Sequence, residues 1–138
     1  MCLWLSDTLD AMTAYPTAEV EQRLRDEANV WMATVRPDGR AHLIPIWFVW
    51  VLGKFWICTG TDTVKMRNLR TNPSIALSLE NGNAPVIAES IVEFVEAPYP
   101  AEVLAEFVRK FQWDLNGDDA ATHSVFSSTP TKWIHWNA

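Results

Sequence analysis

The alternation of hydrophobic and polar positions begins with a helical pattern and then changes to that of strands. Val20, Leu24 and Ala28 recur at a helical spacing, which makes one narrow apolar stripe. Thr17 precedes this stripe and is a residue type that caps helix N-termini. The pattern therefore predicts a helix over residues 18–27, followed by a region of strands.

Three apolar runs follow the first helix, and turn residues separate them. Residues 30–35 and 41–51 flank a Pro-Asp-Gly turn, in which proline sets φ and glycine supplies a positive φ. Residues 55–59 form the third run, which follows a Leu-Gly-Lys turn. These short connections predict a three-strand antiparallel meander.

The second half of the chain continues with two helices and four short strands. The helices are predicted over residues 64–70 and 101–111, and the strands over residues 74–80, 86–96, 124–128 and 132–136, with Pro130 dividing the last two. Tight turns between successive strands favour an antiparallel barrel over a parallel sheet. The pattern thus predicts a mainly β fold, a barrel of six or seven strands with flanking helices.

Length and charge narrow the class of protein. The 138 residues correspond to a single domain spanning residues 1–138, without a repeat or linker. The net charge of −6 disfavours binding to nucleic acid and to anionic membranes. No apolar run approaches the ~20 residues that span a bilayer. Two cysteines, Cys2 and Cys58, make no disulfide framework, so we expect a cytoplasmic protein.

The segment from residue 59 to residue 70 has the features of an anion site. A polar loop carries the hydroxyls of Thr59, Thr61 and Thr63 and runs into a helix start with Lys65 in its first turn. Loop amides and a helix N-terminus favour an anion, and three of the eleven basic residues lie within residues 65–70. The functional interpretation is a phosphate site. The alternative is a solvated helix face capped by Thr63.

Pro45 lies inside an apolar run, where it removes a hydrogen bond from the strand ladder. It marks a sheet edge, a bulge or a place that something other than a strand approaches. Ile44, Ile46, Trp47 and Phe48 around it could form an apolar wall for a ring system. An edge strand in which proline blocks aggregation explains the same residues.

Other residues give weaker indications. His42, His123 and His135 are isolated in sequence and lack the spacing of metal ligands, so no metal site is predicted. The chain contains no P-loop, no dinucleotide-binding glycine motif and no nucleophile elbow. Cys58 lies in an apolar strand and is expected to serve packing.

Three segments in this order resemble the pyridoxamine 5'-phosphate oxidase-related family of FMN-binding split β-barrel proteins. They are residues 31–48 (WMATVRPDGRAHLIPIWF), 55–60 (FWICTG) and 65–73 (KMRNLRTNP). Residues 129–136 (TPTKWIHW) resemble the closing strand of the small single-domain members. The match extends well over residues 20–96. Some members with the Lys-x-x-Asn-Leu pattern found here bind the deazaflavin F420.

The resemblance implies a homodimer of six-stranded antiparallel split barrels with two flavin sites at the subunit interface. It assigns the wall of the isoalloxazine ring to His42, Leu43, Ile44, Pro45, Ile46 and Trp47. It assigns the phosphate site to Thr59, Gly60, Thr61, Thr63, Lys65 and Asn68. The candidates for a contribution from the second subunit are Trp113, Trp133 and Trp136.

The function implied by the resemblance is an FMN-binding flavoprotein, an oxidoreductase that acts on a small molecule through hydride transfer at the flavin. The alternatives are an F420-dependent reductase and a non-enzymatic flavin-binding protein. A haem-binding relative, with His123 and His135 as candidates, is a third interpretation. The vitamin B6 oxidases of the family have arginine directly before the lysine, where this chain has Val64. No catalytic acid or base is assigned.

Overall fold

A computed structural model describes residues 15–136, so Cys2 lies outside the described residues. Within this range the chain forms three α helices and seven β strands. The helices are α1 (Ala18–Asp26), α2 (Val64–Thr71) and α3 (Ala101–Phe111), and a 3-10 turn spans Ala120–Thr122. The strands are β1 (Asn29–Val35), β2 (Ala41–Trp47), β3 (Val49–Val51), β4 (Lys54–Gly60), β5 (Ser74–Ser78), β6 (Val86–Val95) and β7 (His123–His135).

All seven strands belong to one antiparallel sheet in the order β2-β1-β5-β6-β7-β4-β3. Strand β2, at one end of this order, also contacts β4 near the other end. The sheet is therefore curled into a split barrel, which confirms the predicted mainly β fold. The predicted helices agree with α1, α2 and α3 to within one residue at each end.

The prediction of one strand over residues 41–51 is wrong, and the structure has seven strands where the resemblance implies six. Phe48 divides this run into β2 and β3, which lie at opposite ends of the sheet order. Its N–H donates to the Ala28 carbonyl at 3.3 Å, and its own carbonyl accepts from Lys110 Nζ at 2.8 Å. These partners replace ladder hydrogen bonds, so the chain can bend and cross from one edge of the sheet to the other. The predicted three-strand meander is accordingly two separate hairpins.

The prediction that Pro130 separates two terminal strands is also wrong, because β7 is continuous. Pro130 lies opposite Ser90, where the register of the β6–β7 pair shifts between Glu89 and Ser90. A bulge leaves one residue outside the ladder, so the missing N–H of proline is tolerated there.

Two apolar clusters stabilise the fold. The first fills the barrel and includes Phe48, Phe55, Leu77 and Phe126, all at most 2% exposed. The second lies between α3 and the outer face of β3, β4 and β7, and includes Trp56, Cys58, Val103 and Phe107. No helix among residues 15–136 is long and apolar enough to span a bilayer. Among residues 15–136, α3 reaches β2 only at Trp47, which stacks on Phe111, so the outer face of β1 and of the rest of β2 is open within this part of the chain.

Candidate functional site

The loop after β4 forms a tight turn into α2. Thr63 caps the helix, since its Oγ1 accepts from the Met66 N–H at 3.4 Å and donates to the Gly60 carbonyl at 3.3 Å. A Cβ added at Gly60 would lie 3.3 Å from Thr63 Cγ2, so a larger residue would crowd the turn. By helical geometry, the first amides of α2 have no acceptor within the helix. The turn thus keeps donors available at the helix N-terminus.

Thr61 attaches this loop to the start of β7. Its N–H donates to the Thr122 carbonyl at 3.0 Å, and its Oγ1 lies 2.9 Å from Ser124 Oγ. The Arg70 guanidinium donates to the Thr61 carbonyl at 3.3 Å. Thr59 is buried in β4. Of the three predicted hydroxyls, those of Thr61 and Thr63 therefore belong to half-buried residues at the loop.

Lys65 is half-buried in the first turn of α2. Within residues 15–136 its ammonium group has neither an ion pair nor a side-chain hydrogen bond. Burial lowers its pKa below the usual value. The neighbouring Arg67 is exposed and lies 3.7 Å from Asp62. A desolvated cation without a counter-charge favours a bound anion, so Lys65 fits a phosphate ligand better than Arg67 does.

Asn68 is buried and joins α2 to the sheet. Its Nδ2 donates to Thr34 Oγ1 at 3.0 Å, and both residues are at most 2% exposed. The structure therefore places Asn68 where it holds the helix that carries Lys65.

The six residues predicted along β2 lie on two opposite faces. Ile44 and Ile46 pack against the barrel core, and His42 is half-buried with its Nδ1 buried and unpartnered within the described residues. Leu43, Pro45 and Trp47 are exposed on the outer face, where Leu43 is 59% exposed. Side chains of a strand alternate between faces. A ring on the outer face would thus contact the side chains of only three predicted residues.

Trp47 belongs to an aromatic cluster near the loop after β4. Its ring stacks on Phe111 with centroids 4.4 Å apart, and lies edge-on to Trp113 at 6.3 Å. Trp113 also contacts Phe107 and His123. Trp113 thus packs within its own chain, next to the outer face of β2.

Trp133 and Trp136, the other candidates for a contribution from the second subunit, lie away from this aromatic cluster. Trp133 packs against the barrel core beside Trp50 and Phe55, at 5.7 and 6.0 Å between ring centroids. Trp136 lines a groove beside α1. The fold therefore brings neither of these residues to the loop after β4 in its own chain.

Strand β2 contacts β4. Trp47, at the end of β2, lies beside Trp113, which contacts His123, the residue opposite Gly60 in the β4–β7 pair. Apolar side chains line the strand, while hydroxyls, amides and an ammonium group surround the loop. This donor set fits a flat apolar ring attached to a phosphate. That the two predicted segments form one site stays a prediction, and the side chains of β2 that point inward would not take part in it.

Sequence reasoning missed Ser124 and Thr34, which support the loop and α2. Neither residue has a local signal in the sequence, since Ser124 is 63 positions from Thr61 and Thr34 is 34 positions from Asn68.

Cys58 is buried in the apolar cluster between α3 and the sheet, as expected for a residue that serves packing. Burial, together with the charge of Asp119, raises its pKa to about 12, so the thiol stays protonated at neutral pH.

Comparison with known sequences identifies one family. The family model described as pyridoxamine 5'-phosphate oxidase matches residues 16–137. A search of curated proteins finds no match.

Solved structures with the same fold bind different cofactors. An F420 reductase is 27% identical, with a TM-score of 0.67, over 82% of this chain and 94% of its own. The heme storage protein HutZ from Vibrio cholerae is 16% identical, with a TM-score of 0.68, over 83% and 89% of the two chains. An FAD-binding protein from Mesorhizobium loti is 15% identical, with a TM-score of 0.59, over 85% and 91%. The last two similarities concern the fold alone.

Proposed function

The chain belongs to the pyridoxamine 5'-phosphate oxidase family, and we propose that it is an FMN-binding flavoprotein that acts as an oxidoreductase on a small molecule. The observation that carries this proposal is Lys65, a half-buried ammonium group without a counter-charge in the described residues, at the N-terminus of α2. The phosphate of a flavin supplies the missing charge.

Each half of the site has its own task in this proposal. The Thr61 hydroxyl, the first amides of α2 and Lys65 hold the phosphate, while the Thr63 hydroxyl, which donates to the Gly60 carbonyl, shapes the turn and caps the helix. Leu43 and Pro45 on the outer face of β2 orient the ring and keep water from one of its sides. When bound, FMN supplies hydride transfer between substrate and cofactor, which no side chain can perform.

We further propose that two chains form a homodimer through the open outer face of the barrel. Trp31, Leu43 and Ile91 are exposed there, at 39%, 59% and 42%. A groove of about 380 Å³ runs over the small residues Ala33 and Ala76 of the same face. Several large exposed apolar residues on one face favour a partner surface. A second chain would cover the ring, and the dimer would reside in the cytoplasm.

F420 is the second candidate cofactor, favoured by the 27% identity to an F420 reductase. It offers the same two features, a planar ring system and a phosphate. A protein that binds flavin without turnover is the remaining alternative, because no residue at the site is a clear acid or base. Turnover with a reductant separates this alternative from an oxidoreductase.

Binding titrations of the purified protein test the proposal. FMN should bind with a higher affinity than riboflavin, which lacks the phosphate. Lys65→Ala should weaken FMN binding roughly 10- to 150-fold, as for loss of a hydrogen bond to a charged group. Arg67→Ala, two residues further along α2 and exposed, is the matched control. Equal affinity of wild type and Lys65→Ala for FMN would refute the phosphate assignment, and binding of F420 alone would favour the second candidate.

A further inference from the structure

Three polar residues lie close together on the barrel side of the sheet. The Asn68 amide donates to Thr34 Oγ1 at 3.0 Å, and both residues are at most 2% exposed. His42 lies directly opposite Thr34 in the β1–β2 pair. Residues directly opposite each other in an antiparallel pair project to the same face, with Cβ atoms about 4.5–5.5 Å apart. The His42 ring therefore faces the Thr34 hydroxyl across the two strands.

The hydrogen-bonding capacity of this cluster is only partly used by the described residues. His42 Nδ1 is buried and has no hydrogen-bond partner within residues 15–136. Thr34 Oγ1 accepts from Asn68, and in the same part of the chain no acceptor takes the hydrogen of this hydroxyl. A hydroxyl can donate one bond while it accepts another, and a ring nitrogen without a hydrogen is an acceptor. Thr34 thus offers a donor on the side where His42 offers an acceptor.

One water molecule can join these two groups. In the structure the two side chains form no direct hydrogen bond. A water can bridge polar atoms that are about 4–5.5 Å apart, because each of its two bonds spans about 2.8 Å. Buried polar atoms are nearly always bonded to protein or to ordered water, and a buried water needs at least two polar partners. The Thr34 hydroxyl and His42 Nδ1 are two such partners.

The cluster connects the two halves of the proposed site. His42 belongs to β2, the proposed ring strand, and Asn68 belongs to α2, the helix that carries Lys65. Thr34 lies between them on β1, which contacts α2. Within residues 15–136, β2 pairs with β1 alone. A bridge from His42 to Thr34 therefore links the ring strand to the phosphate helix through side chains, in addition to the backbone ladder.

We propose that a buried water bridges His42 Nδ1 and the Thr34 hydroxyl, and that His42 is thereby a positioning residue that sets the spacing between β2 and α2. This inference rests on the proposed function, because only a ligand that contacts both elements senses their spacing. FMN is such a ligand, since it joins a ring to a phosphate. Riboflavin has the ring without the phosphate and does not sense the spacing. Two half-sites at a fixed spacing bind a linked ligand more tightly than either half alone.

Equilibrium titrations with FMN and riboflavin test the positioning role. His42→Leu removes both ring nitrogens and should weaken FMN binding roughly 3- to 10-fold, as for the loss of one hydrogen bond. Its affinity for riboflavin should equal that of wild type. His42→Asn keeps a polar atom near the position of Nδ1 and should restore most of the affinity for FMN. Val108→Ala, at an exposed apolar position on α3, is the control.

Crystal structures of wild type and His42→Leu test the water bridge itself. In wild type, electron density for one water should lie within about 3.2 Å of both His42 Nδ1 and Thr34 Oγ1. The same density should be missing in His42→Leu. A wild-type structure without water between the two residues would overturn the inference.

The titrations separate failure of the inference from failure of the proposed function. Equal affinities of wild type and His42→Leu for FMN would overturn the inference and leave the proposed function intact. Equal weakening of FMN and riboflavin would overturn it as well, since His42 would then act on the ring half alone. Failure of wild type to bind FMN would refute the proposed function and, with it, the positioning role.

Discussion

The side-chain amide of Asn68 donates a 3.0 Å hydrogen bond to the Thr34 hydroxyl, in the interior of the protein. This contact joins α2 to β1 across 34 positions of sequence. Because α2 has only eight residues, its own hydrogen bonds stabilise it weakly, and tertiary contacts must hold it. The position of Lys65 at the loop therefore depends on Asn68.

We expect Asn68→Ala to lower the free energy of unfolding by about 1–3 kcal/mol, the cost of leaving a buried polar group without its partner. Urea unfolding monitored by tryptophan fluorescence measures this. Val64→Ala, at an exposed position of the same helix, should change stability by no more than about 0.5 kcal/mol. Equal stability of Asn68→Ala and wild type would show that the bond does not hold α2.

The affinity for FMN should fall as pH rises through the lowered pKa of Lys65. Burial lowers the pKa of Lys65 in the free protein, and a bound phosphate favours the charged ammonium, so FMN binds the protonated form better. Raising the pH through this lowered pKa removes the charge and weakens binding. FMN titrations between pH 7 and 10 should show this slope in wild type and lose it in Lys65→Ala. Parallel slopes in the two proteins would contradict the assignment.

Lys110 gives the stability a pH dependence of its own. Its Nζ donates to the carbonyls of Leu24 and Phe48 at 3.2 and 2.8 Å and lies 3.8 Å from the centre of the Phe48 ring. Burial, with a smaller effect of Arg109, lowers its pKa from 10.5 to about 8. Between these two values the unfolded chain binds more protons, so this residue makes the folded state more stable as pH rises.

The comparison of wild type with Lys110→Met isolates this effect. From pH 8 to pH 10.5, the free energy of unfolding of wild type should rise relative to that of Lys110→Met. Urea unfolding at several pH values measures both proteins. A constant difference across this range would mean that Lys110 titrates as it does in the unfolded chain.

Leu43→Glu should convert the proposed homodimer into monomers. The Leu43 side chain is 59% exposed on the open outer face of β2, where a buried, unpaired carboxylate would oppose association. Sedimentation velocity on wild type and variant measures the state of assembly. Val108→Glu, 52% exposed on α3, should leave it unchanged. A monomeric wild type would refute the dimer proposal.

Local patterns in the sequence predicted most of the elements, because caps and turns act through near neighbours. Thr17 and Thr63 cap their helices as expected, with bonds to Val20 and Met66. The break at Phe48 escaped prediction, because no turn residue marks it. Its backbone is satisfied by Ala28 and Lys110, and Lys110 is 62 positions away.

For the candidate site as well, the sequence indicated the segments but not the contacts between residues that are distant in the chain. The resemblance named the two segments, but it assigned six successive residues of β2 to one ring, although a strand presents alternate side chains to each face. The support that Ser124 gives to Thr61 arises only from the pairing of β4 with β7. Contacts between distant segments therefore could not be derived from the pattern.

The most direct test of the proposed flavin site is a visible absorption spectrum of the purified protein, with mass spectrometry of whatever it releases on denaturation. We expect the absorption of an oxidised flavin and the release of a cofactor that contains riboflavin 5'-phosphate. A colourless protein that binds neither added FMN nor added FAD, or one that shows the Soret band of haem, would contradict it.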